Sequence, residues 1–500
     1  MESYLNFKKI ILYSFLLYGA VSMAQFSQKD KVVSQNRESR AEFGTSVAIK
    51  DNFAIVGASR ESYAEGAAYI YTKDSQGNWS FTQRIAANDP NEGAEYGGGV
   101  KISDDFLVVA AGRADIESTV RAGALYIYDF QNNNWEFNTK LVASDLSGDA
   151  KLGMNPTSID VQNETIIAGA PGEDSWTGSV YVFNRINGNW SETQKIMSPT
   201  PMVNDAFGIG VSISGDYLLI GAQGVNNSEG SAYLYIKNND GVWEYDQTIT
   251  ASDSSNDSYF GSSVSVSENI MVIGSYGVNS EKGAAYVYEK NNQGIWEEVQ
   301  ILISNPSNDY VQFGWDTAIL QDYIIIAAPH IYGNEKGEVY FYNKENTGLW
   351  VENQIIQGND TESEDFYGWS IASNGSDLII GSPREDHDIN GSNPIDDAGS
   401  AYIFENPNIL GGLTNLENYK NSIRYYPNPI LNVLKINSST KLISSIKLFT
   451  INGSLLIEKN EINNNLFNID FSNYSNGFYL INVLFEDGTS TYEKLIKTNY

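Results

Sequence analysis

Phe43-Gly44-Thr45-Ser46-Val47-Ala48-Ile49-Lys50-Asp51-Asn52-Phe53-Ala54-Ile55-Val56-Gly57-Ala58-Ser59 reads as two short apolar strands joined by a tight polar turn and closed by a small-residue triplet. Its opening dipeptide returns six times, as Tyr96-Gly97, Leu152-Gly153, Phe207-Gly208, Phe260-Gly261, Phe313-Gly314 and Tyr367-Gly368, and these positions are almost evenly spaced. A period near fifty, with several short apolar runs in each unit, predicts a radial array of small sheets.

Four strands fit each unit. In the first they are Ser46–Ile49, Phe53–Gly57, Ala67–Tyr71 and Trp79–Ile85. The second ends in a triplet that recurs as Gly169-Ala170-Pro171, Gly221-Ala222-Gln223 and Gly381-Ser382-Pro383. The third opens on Gly with Tyr three residues on, from Gly66/Tyr69 to Gly399/Tyr402. The fourth opens on Trp79, Trp135, Trp190, Trp243, Trp296 or Trp350, most followed four residues later by Gln. Each Trp stands at one fixed offset before the next dipeptide, as Trp79 does before Tyr96 and Trp350 before Tyr367. The seventh unit stops after Ala401–Phe404 with no Trp strand, yet Phe26 stands at that same offset before Phe43. Phe26–Val33 therefore supplies the missing outer strand and closes the ring without a covalent link. The expected fold is all-β: a seven-bladed β-propeller closed by an N-terminal strand, with a small β-sandwich-like domain after it.

The Phe-Gly dipeptides with their Gly-Ala-Pro-like triplets resemble the FG-GAP repeat family, known from integrin alpha-subunit propellers and bacterial surface proteins, over about residues 26–404. The resemblance implies a β-propeller. It does not carry integrin-type calcium sites across, because connections such as Lys50-Asp51-Asn52, Ser103-Asp104-Asp105 and Gln162-Asn163-Glu164 are too short for them. From Tyr426-Pro427-Asn428-Pro429 onward the repeat is broken. This stretch, with Ile446–Phe449, Asn452-Gly453, Gly477-Phe478-Tyr479 and Glu493-Lys494-Leu495-Ile496-Lys497, resembles the type A C-terminal sorting domain of the type IX secretion system of Bacteroidetes. That resemblance implies export across the outer membrane through the type IX machinery, then release or surface attachment.

At the other end Lys8 and Lys9 precede an apolar run, Ile10–Val21, and Ser22-Met23-Ala24 fits a cleavage site. That run is too short to span a bilayer and reads as a secretory signal peptide, leaving no transmembrane anchor. The expected organisation is a signal peptide at 1–24, the propeller at 25–405, a linker at 406–424 and the sorting domain at 425–500. The chain has no Cys, so its stability rests on its cores. Residues 425–500 are neutral overall, and 25–424 carry −32 against a total of −31. So acidic a surface excludes nucleic acid and anionic lipid as expected partners.

In an up-and-down blade the 2–3 and 4–1 loops share one face, and here those are the long ones, so binding is expected there. Trp315 and Trp369 directly follow the dipeptides of the sixth and seventh units, where other units have Thr45, Gly98, Met154, Ile209 and Ser262. With His330, Tyr332, Arg384 and His387 from nearby loops they form the candidate ligand site, suited to a sugar ring; channel filling is the alternative. Trp176 is a further aromatic of that face. The longest 2–3 loop places Asp386, Asp388, Asn390, Gly391, Ser392 and Asp397 at the spacing of a calcium loop, with Asp in place of the usual terminal Glu and Pro394 at a position that often ligates.

Catalysis is not expected: there are two His, no Cys, and no nucleophile elbow or phosphate loop. The expected function is binding or adhesion to an extracellular glycan or to a matrix or surface protein, with calcium as the candidate cofactor. The alternatives are a polysaccharide-degrading enzyme using His330 or His387, and a structural surface protein.

Overall fold

A computed structural model describes residues 26–304, 310–320, 323–345 and 347–406, and in the C-terminal region 423–426, 430, 432–438, 442–450, 455–460, 462–486 and 490–498. The expected signal peptide, most of the linker and Asn452-Gly453 lie outside the described residues. Residue contacts divide the chain into one unit of Gln25–Glu405 and another that holds Asn406–Tyr500.

The first unit is seven four-stranded antiparallel sheets. Six are consecutive meanders, spanning 43–85, 96–141, 159–197, 210–249, 264–302 and 317–356. The seventh joins Ile371–Ser373, Asp377–Ser382 and Ser400–Glu405 to Ser27–Val32, so the N-terminal strand closes the ring as expected.

The sequence repeats are explained by how neighbouring blades touch. Gly66 sits at φ +84°, and a Cβ there would lie 2.0 Å from the Tyr96 carbonyl oxygen of the next blade. Only glycine lets the third strand of one blade and the dipeptide of the next approach that closely. Gly57, in the triplet, is held to glycine in the same way by the Gly97 carbonyl at 2.0 Å. The last junction repeats the first, with Gly399 against Phe43 and Gly381 against Gly44. Aromatic cores fill the space between blades; Phe43, Tyr69, Tyr96, Tyr126, Tyr181, Tyr286, Tyr340, Tyr367 and Tyr402 are all buried.

Around the axis, polar side chains staple one inner strand to the next. Ser46 Oγ donates to the Gly97 carbonyl at 2.6 Å, and Ser265 Oγ to that of Thr317 at 2.8 Å. Asp160 and Asp316 accept from the Ile213 and Ile371 amides, both at 2.9 Å. Burial pushes the Asp316 carboxyl up to about 6, its amide bonds only partly offsetting the lost hydration.

At the periphery a Gln on one outer strand brackets the head of the next. Gln194 Nε2 donates to the Trp243 carbonyl and Gln194 Oε1 accepts from its amide, at 2.8 and 2.9 Å. Gln354 does the same to Phe26, at 2.7 and 2.9 Å. Phe26 takes a Trp's place in register, and it stacks on Phe341 with ring centres 4.9 Å apart where Trp135, Trp190 and Trp296 meet Phe53, Phe106 and Tyr217 edge-on.

The second unit holds a three-stranded sheet (Ile423–Tyr426, Val433–Ser438, Leu466–Asp470) and a four-stranded one (Leu455–Lys459, Ile443–Thr450, Gly477–Phe485, Ser490–Lys497). Leu434, Ile436 and Ile469 from the first share one core with Ile446, Leu448, Ile481, Val483 and Leu495 from the second. That is the two-layer packing of a small sandwich.

Candidate functional site

Three sequence registers build the mouth of the channel on the long-loop face. The residue before each dipeptide is Glu42, Glu95, Lys151, Ala206, Tyr259, Gln312 or Phe366, and all seven have positive φ, between 51° and 57°. Left-handed backbone at a non-glycine residue costs about 1 kcal/mol or more, so a sevenfold repeat of it reflects the constraint of the junction. The residue after each dipeptide contributes Thr45, Gly98, Met154, Ile209, Ser262, Trp315 and Trp369, all lining a cavity of about 370 Å³. The residue after each triplet is Arg60, Arg113, Gly172, Gly224, Gly277, His330 or Arg384. Trp176, half-buried, reaches the same cavity from a left-handed turn (Asp174, Ser175 and Trp176, φ 48–67°) closed by the Gly178 amide on the Glu173 carbonyl at 3.0 Å.

The rim is divided by chemistry. Blades 5 to 7 carry a run of rings. Tyr259 stacks on Tyr276 (4.9 Å between centres, 10° between planes), Tyr276 meets Trp315 (5.1 Å), Trp315 meets Trp369 (4.9 Å, 47°), and Trp369 stacks on Phe366 (5.7 Å, 14°). Both indoles remain half-buried. They also line a second cavity of about 540 Å³, with Ile331, Tyr332, Gly333, Asn334, Glu364, Phe366 and Arg384.

Blades 1 to 3 carry charges instead. Arg60 pairs with Glu42 at 3.3 Å and Arg113 with Glu95 at 3.2 Å. Burial raises the Glu42 carboxyl, with Arg60 working against it. The Lys151 ammonium lies 4.1 Å from the centre of the Trp176 ring, and burial lowers its pKa.

The structure brings Trp315, Trp369, Tyr332 and Arg384 into one cavity and leaves the two histidines out of it. His330 is only 3% exposed, neither ring nitrogen has a hydrogen-bond partner, and burial lowers its pKa to about 4. It is therefore neutral and sits beneath the loop. His387 Nδ1 is 3.0 Å from Glu385 Oε1, in the neighbouring loop. Sequence reading missed Tyr276, Tyr259 and Phe366; the last two were visible at the register before the dipeptide.

In the Asp386–Asp397 loop the carboxylates of Asp386 and Asp388 accept hydrogen bonds from the chain itself. Asp388 is consumed by a turn, accepting from the amides of Asn390 (2.9 Å) and Ser392 (3.0 Å) and from Asn393 Nδ2 (2.5 Å). Asp386 Oδ1 accepts from the Asp397 amide at 2.8 Å. The Arg37 guanidinium donates to the Asp386 and Asn393 carbonyls. Among the described residues no three His, Cys, Asp or Glu side chains converge as a metal site.

Fold and rim together define a seven-bladed propeller with a ligand-sized mouth on its long-loop face. The FG-GAP repeat family matches residues 26–71, 79–128, 190–235, 243–288 and 350–404. Each match starts on one blade's outer strand and runs through the first three strands of the next. The secretion system C-terminal sorting domain family matches 424–498. The chain thus carries five FG-GAP repeats and a sorting domain that directs type IX export to the exterior or the outer-membrane surface. It is 26% identical over 244 residues to integrin alpha-4 of Xenopus laevis, a match covering 43% of this chain and only 22% of that relative's length. A crystal structure of a protein from Lactobacillus plantarum aligns with 84% of this chain and all of its own at 10% identity, with a TM-score of 0.41. Among the described residues no helix is long and apolar enough to cross a membrane.

Proposed function

We propose that this exported propeller is a binding protein that holds an extracellular saccharide at the channel mouth between blades 5 and 7, without chemical turnover. The supporting observation is the Trp315–Trp369 pair, half-buried and shared by two adjoining cavities. Two tilted indoles give the C–H faces of a sugar ring an apolar platform, while Tyr332, Asn334 and Glu364 offer hydrogen-bonding groups around it. The buried, neutral His330 and the Glu385-bound His387 leave the platform without a histidine poised for acid–base work.

The test is binding of the full chain to a panel of neutral and acidic polysaccharides, with calcium and with chelator, read by tryptophan fluorescence and by analysis of the recovered ligand. Saturable quenching with intact ligand supports the proposal. Trp369→Ala is then expected to weaken binding roughly 30-fold, about 2 kcal/mol for a hot-spot aromatic. Shortened ligand chains would replace binding by hydrolysis or elimination, and a protein-only ligand would replace the saccharide.

A further inference from the structure

Arg384 is an arginine whose expected partner has been replaced. Arg60, Arg113 and Arg384 occupy one register, directly after the triplet, in blades 1, 2 and 7. In blades 1 and 2 the residue before the dipeptide is Glu42 or Glu95, and each neutralises its arginine. In blade 7 that position is Phe366, and the guanidinium of Arg384 lies 4.3 Å from the centre of its ring. No carboxylate among the described residues stands within ion-pair distance of Arg384. Glu42 and Asp397 feel its charge only from further off. The side chain is exposed, and it lines the same cavity as Trp315, Trp369 and Tyr332. A guanidinium held over an aromatic ring, with no carboxylate partner, keeps its donor fork available for two-point contact with a carboxylate.

We propose that Arg384 is the acid-recognising residue of this site, and that the ligand is a glycan bearing a uronic-acid unit whose ring lies on the Trp315–Trp369 platform. This inference rests on the saccharide reading above. The rest of the protein limits the ligand. A formal charge of −31 disfavours a dense polyanion lying along the surface, and Glu364 stands in the cavity wall. At physiological salt charges are screened beyond about 8 Å, so one carboxylate per contact is accommodated where a run of them is not. The ligand is therefore a largely neutral chain carrying isolated acidic sugars.

The experiment uses the full chain and two probes: an oligosaccharide of neutral sugars carrying one glucuronic acid, and the same oligosaccharide with that carboxyl reduced to an alcohol. The wild-type protein is expected to prefer the acidic probe by about tenfold, with the preference shrinking as salt rises. Arg384→Gln is expected to bind both probes equally, at the wild-type affinity for the reduced one, and Arg384→Lys to recover only part of the preference. Arg60→Gln, which removes a cation already paired, should leave the preference in place. Equal binding of both probes by the wild type, or a preference that survives Arg384→Gln, overturns the role of Arg384 and leaves the saccharide reading standing. Failure of the wild type to bind either probe or any polysaccharide overturns both, and selective binding of an acidic peptide instead assigns Arg384 to a protein ligand.

Discussion

Blade 3 is drawn from one continuous stretch of chain and blade 7 from the two opposite ends of the propeller sequence, yet their outer strands are held by the same parts. In blade 3, Lys195 Nζ contacts Asp145 and Glu173, both at 2.6 Å, and Tyr181 donates to Asp145 at 2.7 Å. In blade 7, Lys31 Nζ contacts Asp360 at 2.6 Å and Glu385 at 3.0 Å, and Tyr402 donates to Asp360 at 2.8 Å. Each lysine lies five residues after the aromatic that opens its strand, Trp190 or Phe26. The pairing slips by one residue at the same place too, skipping Thr193 in one strand and Lys29 in the other. The seam differs chiefly in depth: the Lys31 side chain is 4% exposed and that of Lys195 is 25%. Covalent continuity is therefore dispensable to a blade, and register with burial replaces it.

The strongest way to break this comparison is to remove the N-terminal strand. Deleting residues 25–33 strips the Ser400–Glu405 edge and takes Phe26 out of the core, and should leave no cooperatively folded propeller by calorimetry. A synthetic peptide of residues 26–33 should restore folding in trans. A deleted chain that melts like the wild type would show the seam to be ornamental.

Next, Lys31→Met should cost about 3–5 kcal/mol in urea unfolding, because it leaves buried Glu385 and its neighbour Asp360 uncompensated. Lys195→Met, at the half-wet copy of the same contact, should cost only about 1–2 kcal/mol. Equal losses would mean that burial does not set the value of the pair.

A third measurement separates the seam from the loop beside it. For Asp360 and Asp145, burial favours the neutral acid, but the lysine and tyrosine bonds outweigh it and lower both carboxyls below the usual 3.8. A depressed carboxylate contributes stability above its unfolded pKa and loses it in more acidic solution, so this contribution fades below about pH 4. Asp365 behaves oppositely. Burial, opposed by the Glu362 amide and reinforced by Glu385 and Asp386, raises it from 3.8 to about 7. The folded state then holds a proton that the unfolded state releases, so stability falls as pH rises from about 4 through 7. Asp365→Asn should flatten that decline and stabilise the chain at pH 8. The smallest effect is expected at the rim of the seam, where Gln354→Ala should cost about 1 kcal/mol through its two bonds to Phe26, as Gln194→Ala should through Trp243.

The seam was legible in the sequence because Phe26 keeps the offset of the tryptophans, and offsets survive translation into strand register. The lysine contact was not, although Lys31, Arg84, Lys140 and Lys195 share one offset. Their carboxylate partners come from loops of differing length, so no constant spacing joins Lys31 to Asp360 or Glu385. Trp315 and Trp369 were found because a register marked them. His330 holds an equally definite register and is nevertheless sealed under its loop, since burial depends on packing from other blades. The Asp386–Asp397 loop reads two ways for a chemical reason: alternating Asp and Asn before Gly suits a metal cage, and it equally suits a turn in which Asp388 accepts its own chain's amides.

One consequence follows from Ser27 lying opposite Glu405. In every other blade the third and fourth strands are joined by a short turn; in the seventh that turn is missing, and the chain enters and leaves the ring there. Both ends therefore emerge on the short-turn face, on the far side of the blades from the two tryptophans. The propeller's own first and last strands thus leave the long-loop face, with its two tryptophans, clear of both ends of the ring.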